Sequence, residues 1–335
     1  MKKATISDVA RLAGVSIKSV SRVVNREANV RTGMRAKVEA AIEELGYKPN
    51  LAARSLAAGR SLNIGVLFDN PSPHYTMKVQ EGAYVACRDA GYQLVLEHLE
   101  SAAQIDDTLE TMFVNRRVDG VVVTAPATDH EIVLHALEQH RIPYVRIAPN
   151  RSPERSPAIF SNDSQAMSEV VQLLWGLGHR QFGFVSGPVD HGASAWRRAG
   201  FFSALAERGM RADQVSVANG DFTFASGIGA GLQLLRRPVP PTAIFAANDD
   251  MAAGVFAAAA QLSIRIPEAL SVVGFDDSWI AKSVWPELTT MRQPIVEMAQ
   301  DAVEILVQRQ RWGRPTVRHH KCTFIVRGST GPVGR

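Results

Sequence analysis

The sequence predicts a small all-α head followed by a large α/β body built from two doubly wound halves. Three observations predict it. Residues 5–45 carry three short stretches with apolar residues at helical spacing, punctuated by Gly14 and ended by Gly46. From Leu62 onward, short apolar runs that read as strands alternate with helical stretches. The alternation breaks once, at a Pro- and Arg-rich connector from Pro149 to Pro157, and then resumes.

In the head, Thr5 is followed three residues later by Asp8, a capping-box-like start with Asp in place of the usual Glu or Gln. Val9, Ala10 and Ala13 share one face of a first helix. Gly14 sits where that helix must stop. Ser16 suits the N-cap of a second helix over 17–25, with Val20 and Val23 or Val24 turned back toward the first. Ile17, Lys18, Ser21, Arg22 and Asn25 are then left on or near its outer side. A third helix over roughly 32–45 draws its apolar stripe from Val38, Ala41, Ile42 and Leu45. Two short helices about a tight turn make a helix-turn-helix, whose second helix can lie in the DNA major groove. A helical bundle without DNA contact is the bland alternative.

Charge favours the first reading. The 335 residues carry a formal net charge of +4, but residues 1–60 hold 12 Lys/Arg against 5 Asp/Glu, a net of +7, and the remainder is net −3. A basic head on a mildly acidic body suits phosphate binding at one end. The two cysteines, Cys87 and Cys322, form no CxxC or metal spacing, which fits a reduced cytoplasmic protein without a metal or other cofactor. No apolar leader core opens the chain, and no run approaches the roughly 20 apolar residues of a membrane helix.

In the body, strands are predicted over 63–68, 93–96, 120–123 and 144–147, with helices over 77–90, 104–115 and 131–139. The second half has strands over 182–186, 215–218, 243–246 and 270–275 and helices over 163–177, 195–208, 224–235 and 251–261, with a last helix over 295–310. Ligands of open α/β sheets sit beyond the carboxyl ends of the strands, so two facing halves make a cleft. Between head and body, residues 51–58 are Ala- and Leu-rich but too short for a stable isolated helix.

TISDVARLAGVS, SVSRVVN, VEAAIEELGYKPN and LAARSLAAGRS, in this order from Thr5 to Ser61, resemble the lactose-repressor (LacI) family of bacterial transcription regulators. The resemblance extends over essentially the whole chain. It implies a helix-turn-helix domain at 1–48, a hinge helix or linker at 49–61, and an effector-binding and dimerisation core at 62–335 that is similar to periplasmic sugar-binding proteins. The core would comprise an N-subdomain of about 62–160 and 292–321 and a C-subdomain of about 161–291 and 322–335.

On the DNA side, the resemblance puts Ile17, Lys18 and Arg22 at base-reading positions. Arg22 can pair bidentately with guanine O6 and N7, or hold a phosphate. Lys18 can donate to guanine or phosphate, and Ile17 offers only apolar contact. Thr5, Ser16, Ser21 and Asn25 suit phosphates. Ala53 and Leu56 lie in the linker, with Leu56 where the family's leucine wedges into the minor groove.

On the effector side, Trp196-Arg197-Arg198-Ala199-Gly200-Phe201 resembles the family's patch whose arginine, here Arg197, bonds the effector. The resemblance adds a polar contact at Asn248 and a carboxylate at Asp276. A guanidinium, an amide and a carboxylate suit vicinal hydroxyls, because each hydroxyl both donates and accepts. Phe160 and Phe222 match flanking positions, and Asp69, Asn70, Tyr75 and Val79 lie at or after the first strand's carboxyl end. Asp249, Asp250 and Asp277 read as caps or turn formers, and Trp279 and Trp285 as core or interface. One departure stands out. Ala148 occupies a position where many members carry aspartate, and Arg146 adds a nearby positive charge. This implies an acidic or otherwise modified sugar, or a different sugar pose.

The expectation is a repressor of carbohydrate-utilisation genes that binds a pseudo-palindromic operator as a dimer and responds to a small sugar or sugar derivative. Co-repressor dependence and activation remain alternatives. A solute-binding protein would want a leader and no basic head. An enzyme would want a phosphate loop, GxGxxG or nucleophile elbow, and none occurs. No leucine heptads follow Pro332, so a dimer is expected rather than a coiled-coil tetramer.

Overall fold

The computed structural model describes residues 4–24, 29–47, 60–99, 109–112, 118–189, 191–308 and 316–334. The chain divides into two compact units, Met1–Leu62 and Asn63–Arg335.

The first unit holds α1 (Ile6–Ala13), α2 (Ile17–Val24) and α3 (Thr32–Leu45). Thr5 Oγ1 accepts from the Asp8 amide at 3.4 Å, and the Asp8 carboxylate accepts from the Thr5 amide at 3.0 Å, so two amides that α1 itself leaves unpaired are satisfied. Gly14 and Gly46 end α1 and α3 at φ 65° and 57°, a left-handed turn that glycine enters without steric cost. Ser16 Oγ accepts from the Ser19 amide at 3.1 Å and starts α2. Val9, Val20 and Val38, one from each helix, are fully buried where the three meet.

The second unit contains two six-stranded sheets. The first lobe orders its strands β11-β5-β4-β3-β1-β2, where these are β1 (Asn63–Phe68), β2 (Gln93–His98), β3 (Gly120–Val123), β4 (Tyr144–Ile147), β5 (Ala158–Ser161) and β11 (Val317–His320). Helices α4 (Pro73–Ala90), α5 (Glu131–Gln139) and α10 (Ile295–Val307) belong to this lobe. The second lobe orders β12-β10-β9-β8-β6-β7, with β6 (Phe182–Ser186), β7 (Ser216–Asn219), β8 (Ala243–Ala246), β9 (Ser271–Asp276), β10 (Thr289–Arg292) and β12 (Thr323–Ile325). Its helices are α6 (Asp163–Gly176), α7 (Gly192–Ala206), α8 (Phe224–Leu235) and α9 (Asp249–Gln261). Neighbouring strands run parallel except β10 and β12. The central strands GVVV (β3) and AIFA (β8) are buried along their whole length, as parallel strands covered on both faces must be.

The chain passes between the lobes at three places: Asn162 after β5, Gln293-Pro294 after β10, and Lys321-Cys322 after β11. The sequence reading did not anticipate β5, β10, β11 or β12, which are only three or four residues long and carry Thr, Arg and His where longer apolar runs mark the others. Helix α10 returns to the first lobe and lies against α4 so closely that a Cβ on Gly82 would sit 2.2 Å from the Val296 carbonyl oxygen. Helix α4 begins at Pro73 rather than at residue 77, with proline in the first turn where its missing N–H costs nothing. Of the expected helix over 104–115, only residues 109–112 are described; Leu109 and Met112 are buried with β1 and β3 residues.

Candidate DNA-reading face and effector cavity

The outer face of α2 carries Ile17, Lys18, Ser21 and Arg22, spaced to share one side of the helix. Ile17 is half exposed, an apolar side chain with no core to join. Arg22 donates from Nη2 to the Asn29 carbonyl at 3.2 Å, which anchors its guanidinium beside the turn before α3. Thr5 and Ser16 are exposed but already serve as caps, Thr5 also donating its hydroxyl to Asp8 at 2.7 Å. Asn25, Ala53 and Leu56 lie outside the described residues.

In the body, the strand ends of both lobes face one cavity of about 20 Å³. The first lobe contributes Asn70, Ser72 and Tyr75 after β1, Ala125 after β3 and Ala148 after β4. The second contributes His191 and Ala193 after β6, Arg197 from α7, Phe222 after β7, Asn248 after β8, Asp276 at the end of β9 and Gln293 after β10. The lobes meet across it. Ser72 Oγ donates to Asp250 Oδ2 at 3.1 Å, and Asn70 Nδ2 lies 3.3 Å from His191 Nε2.

Arg197 is the charged centre of this cavity and is buried. Its Nε donates to Asp163 Oδ2 at 2.9 Å and Nη1 to the Ala247 carbonyl at 2.6 Å. Nη2 lies 3.5 Å from Gln293 Oε1 and 3.7 Å from Asp276 Oδ1. The guanidinium stacks 3.6 Å above the Phe275 ring. Asp163 sits in the first turn of α6, where the helix dipole favours a negative charge.

The Asp276 carboxylate accepts no hydrogen bond among the described residues, and Arg197 is its paired cation. Burial pushes its carboxyl well above the ordinary carboxylate range, with Arg197 opposing. The neighbouring Asp249 is also pushed up by burial, although Thr290 Oγ1 and the Ser278 amide both donate to it at 2.6 Å. Asp249 therefore fastens the turn after β9 to β10, rather than capping α9. Asn248 is the cap: its Oδ1 accepts from the Met251 amide at 2.9 Å. Its Nδ2 donates to the Phe222 carbonyl at 3.0 Å, so both ends of this amide are engaged. Asp277, at φ 56°, is a turn residue held by Arg292 and Arg327.

His191 starts α7 at the cavity wall. Asn70 Oδ1 accepts from the Ser72 amide at 2.9 Å, which fixes its Nδ2 as the group facing His191. Nδ2 can only donate, so His191 Nε2 accepts and Nδ1 carries the proton. That Nδ1 is buried without a hydrogen-bond partner. Burial, aided by Arg197, lowers the imidazole to about 3, so the ring is neutral. It meets the Phe222 ring edge-on at 4.9 Å. Gly187 makes room for that ring, since a Cβ there would lie 2.4 Å from it.

Four residues expected at the effector lie elsewhere. Arg146 is fully buried but points away from the cavity. Side chains alternate along β4, so Val145 and Ile147 pack on the α10 side and Arg146 on the other. There it donates to Ser156 Oγ and the Arg151 carbonyl at 2.9 Å each, and to the Ser152 carbonyl, tying down the connector. Asp69 accepts from the Ala127 amide at 2.9 Å and holds the turn after β3. Val79 is buried core between the sheet and α10. Phe160 stacks on His319 at 5.5 Å and on Trp196 at 5.8 Å, lining a separate shallow groove. Trp279 and Trp285 are 63% and 88% exposed, which removes them from the core.

The sequence reading missed Ser72, Ala125, His191, Ala193 and Gln293. The strand-end rule could have found His191, which follows the legible strand β6. Gln293 follows β10, which gave no apolar run to read.

A helix-turn-helix unit joined to a two-lobed α/β body with a polar inter-lobe cavity defines a ligand-gated DNA-binding regulator. Residues 5–50 match the bacterial regulatory proteins of the lacI family, and residues 171–330 match the periplasmic binding protein-like domain. Over 308 residues the chain is 34% identical to the ribose operon repressor of Escherichia coli (strain K12), covering 91% of this chain and 93% of that one. It is 30% identical over 331 residues to the HTH-type transcriptional repressor CytR of the same strain, covering 98% and 96%. The lac repressor dimer bound to operator and the anti-inducer ONPF superposes with a TM-score of 0.75 at 28% identity, covering 98% of this chain and all of that chain. The chain belongs to the LacI family of bacterial transcription regulators. Among the described residues no helix is long and apolar enough to cross a membrane.

Proposed function

We propose that the protein is a cytoplasmic, non-enzymatic repressor that binds a pseudo-palindromic operator as a dimer and is switched by a small neutral polyhydroxylated ligand, a sugar or sugar derivative. The observation that carries this is the pairing of Arg197 with Asp276 at the wall of the inter-lobe cavity. Arg197 offers a donor, Asp276 an acceptor and Tyr75 a phenol at the wall of the cavity. Adjacent hydroxyls use such a mixture.

Charge argues against an acidic ligand. Arg197 is the cavity's cation, and its Nε is already paired with Asp163 at 2.9 Å, so it is not a free cation for an acidic ligand. Arg146, one of the two reasons to expect an acidic or modified sugar, is spent on the connector; the other, Ala148, lines the cavity without a charge. On the DNA side, Arg22 and Lys18 read or anchor, and Ile17 makes apolar contact. The ribose operon repressor and CytR among the relatives do not by themselves choose the ligand here.

The test is calorimetry of the full chain against neutral monosaccharides, sugar acids, sugar phosphates and disaccharides. Mobility shift then follows on operators selected from randomised DNA. A neutral sugar should bind and release the operator. Binding confined to sugar acids or sugar phosphates would overturn the ligand class, and tighter operator binding would reverse the sign.

A further inference from the structure

The three inter-lobe crossings converge on one hydrogen-bond ring that includes the cavity's arginine. Arg197 donates to Asp163 Oδ2 at 2.9 Å and, on its other side, lies 3.5 Å from Gln293 Oε1. Gln293 Nε2 donates to Ser161 Oγ at 2.9 Å, and Ser161 passes its own hydroxyl proton to Asp163 Oδ1. All four side chains are buried. Ser161 ends the last residue run of the first lobe before the first crossing, Asp163 begins the second lobe, and Gln293 is the second crossing itself. The third crossing joins through Cys322, whose amide donates to Asn162 Oδ1 at 2.7 Å and whose Sγ lies 3.9 Å from Asp163 Oδ1.

The ring's longer arm runs in one direction, from Arg197 to Asp163. Arg197 donates to Gln293, Gln293 to Ser161 and Ser161 to Asp163, and each donor in such a chain polarises the next. A flip of the Gln293 amide would set its NH₂ against the guanidinium and break two links at once. The longest link is at Nη2, the nitrogen that also lies nearest Asp276 at the cavity. An oxygen placed in the cavity therefore competes for the weakest contact in the ring.

We propose that Gln293 and Ser161 are positioning residues that wire Arg197, and so the occupancy of the cavity, to all three crossings between the lobes. Ser161 does not line the cavity, and Gln293, which does, acts here through its contact with Arg197. The wiring concerns the chain's own residues; its use in switching rests on the effector reading proposed above.

Hydrogen exchange of the full-length protein without added ligand tests it, comparing wild type with Gln293→Leu, Ser161→Ala and Ser161→Thr. The reporting amide is that of Cys322, which hydrogen-bonds to Asn162 rather than to Gln293 or Ser161. Its exchange should rise about ten-fold in Gln293→Leu and in Ser161→Ala, the size of a lost buried bond to a charged partner. The double variant should rise no further, and Ser161→Thr, which keeps the hydroxyl, should match wild type. Unchanged Cys322 exchange in both single variants overturns the proposal, as does a double variant whose increase is the product of the two. If Gln293→Leu fails to fold, the contrast between Ser161→Ala and Ser161→Thr decides alone. A parallel arm adds millimolar D-ribose: an unaffected wild type speaks against a pentose ligand, while the ligand-free rates still judge the ring.

Discussion

Replacing Arg197 with leucine tests how much of the body depends on one buried charge. The change removes the partner of Asp163, a carboxylate only 1% exposed, and leaves Asp276 without its opposing cation. It also empties the Ala247 carbonyl of its donor and strips the cation from the face of Phe275. Removing one member of a buried pair costs about 3–5 kcal/mol, because the survivor stays out of water unpaired. Folded domains hold about 5–15 kcal/mol in all, so this single change would bring the body close to unfolding at room temperature.

Converting Asp163 to leucine in the same chain removes the orphaned charge. The double variant should therefore recover about 2 kcal/mol relative to the sum of the two single changes. Urea unfolding followed by tryptophan fluorescence is the assay. All five tryptophans, at 175, 196, 279, 285 and 312, lie in the body, so the signal does not mix in the head. An Arg197→Leu protein within about 1 kcal/mol of wild type would refute the argument, and so would exact additivity in the double variant. A lost ligand response in an Arg197 variant is thus interpretable only beside its unfolding curve.

Three further outcomes are expected. Arg22→Ala should relax preference at one base pair by about 1–3 kcal/mol, read by selection from randomised DNA; unchanged preference leaves Arg22 as a phosphate contact. Gly82→Ala should destabilise the body by about 1–3 kcal/mol although alanine favours helix, because its methyl would strike the Val296 carbonyl at 2.2 Å; a gain in urea midpoint would contradict this. His191 stays neutral in the fold down to about 3, whereas the unfolded chain takes a proton near 6.5. Stability held at neutral pH is therefore lost as pH falls through 6.5, by about 2 kcal/mol at pH 5 from this group. His191→Leu should show that much less loss between pH 7 and 5, and equal losses in the two proteins would discount the burial argument.

The head was legible because its signals are local. Thr5 with Asp8, Gly14, Ser16 and Gly46 each act through backbone groups within a few residues, so spacing alone reveals them. The long body strands were legible because burial on both faces demands continuous apolar runs. Strands β5, β10, β11 and β12 owe their conformation to the neighbour they pair with, and a four-residue segment such as Val317–His320 carries no such run. The cavity was partly legible for the same reason: Asn70, Phe222, Asn248 and Asp276 follow readable strands. Arg146 misled because position in sequence does not say which face of a strand a side chain takes. One residue's shift in phase separates a cavity wall from the connector behind it.

The threefold crossing between lobes also has a consequence for synthesis. Neither lobe is a continuous piece of polypeptide, since α10 and β11 of the first lobe are among the last residues made. The face of α4 around Gly82 waits for Val296, roughly 200 residues later, and at about 5–20 residues per second that is on the order of 10–40 s of translation. Throughout that interval the nascent first lobe has an uncovered apolar flank formed by Val79, Ala83 and Ile147. Exposed apolar surface of this kind makes an incomplete chain prone to aggregation until α10 arrives.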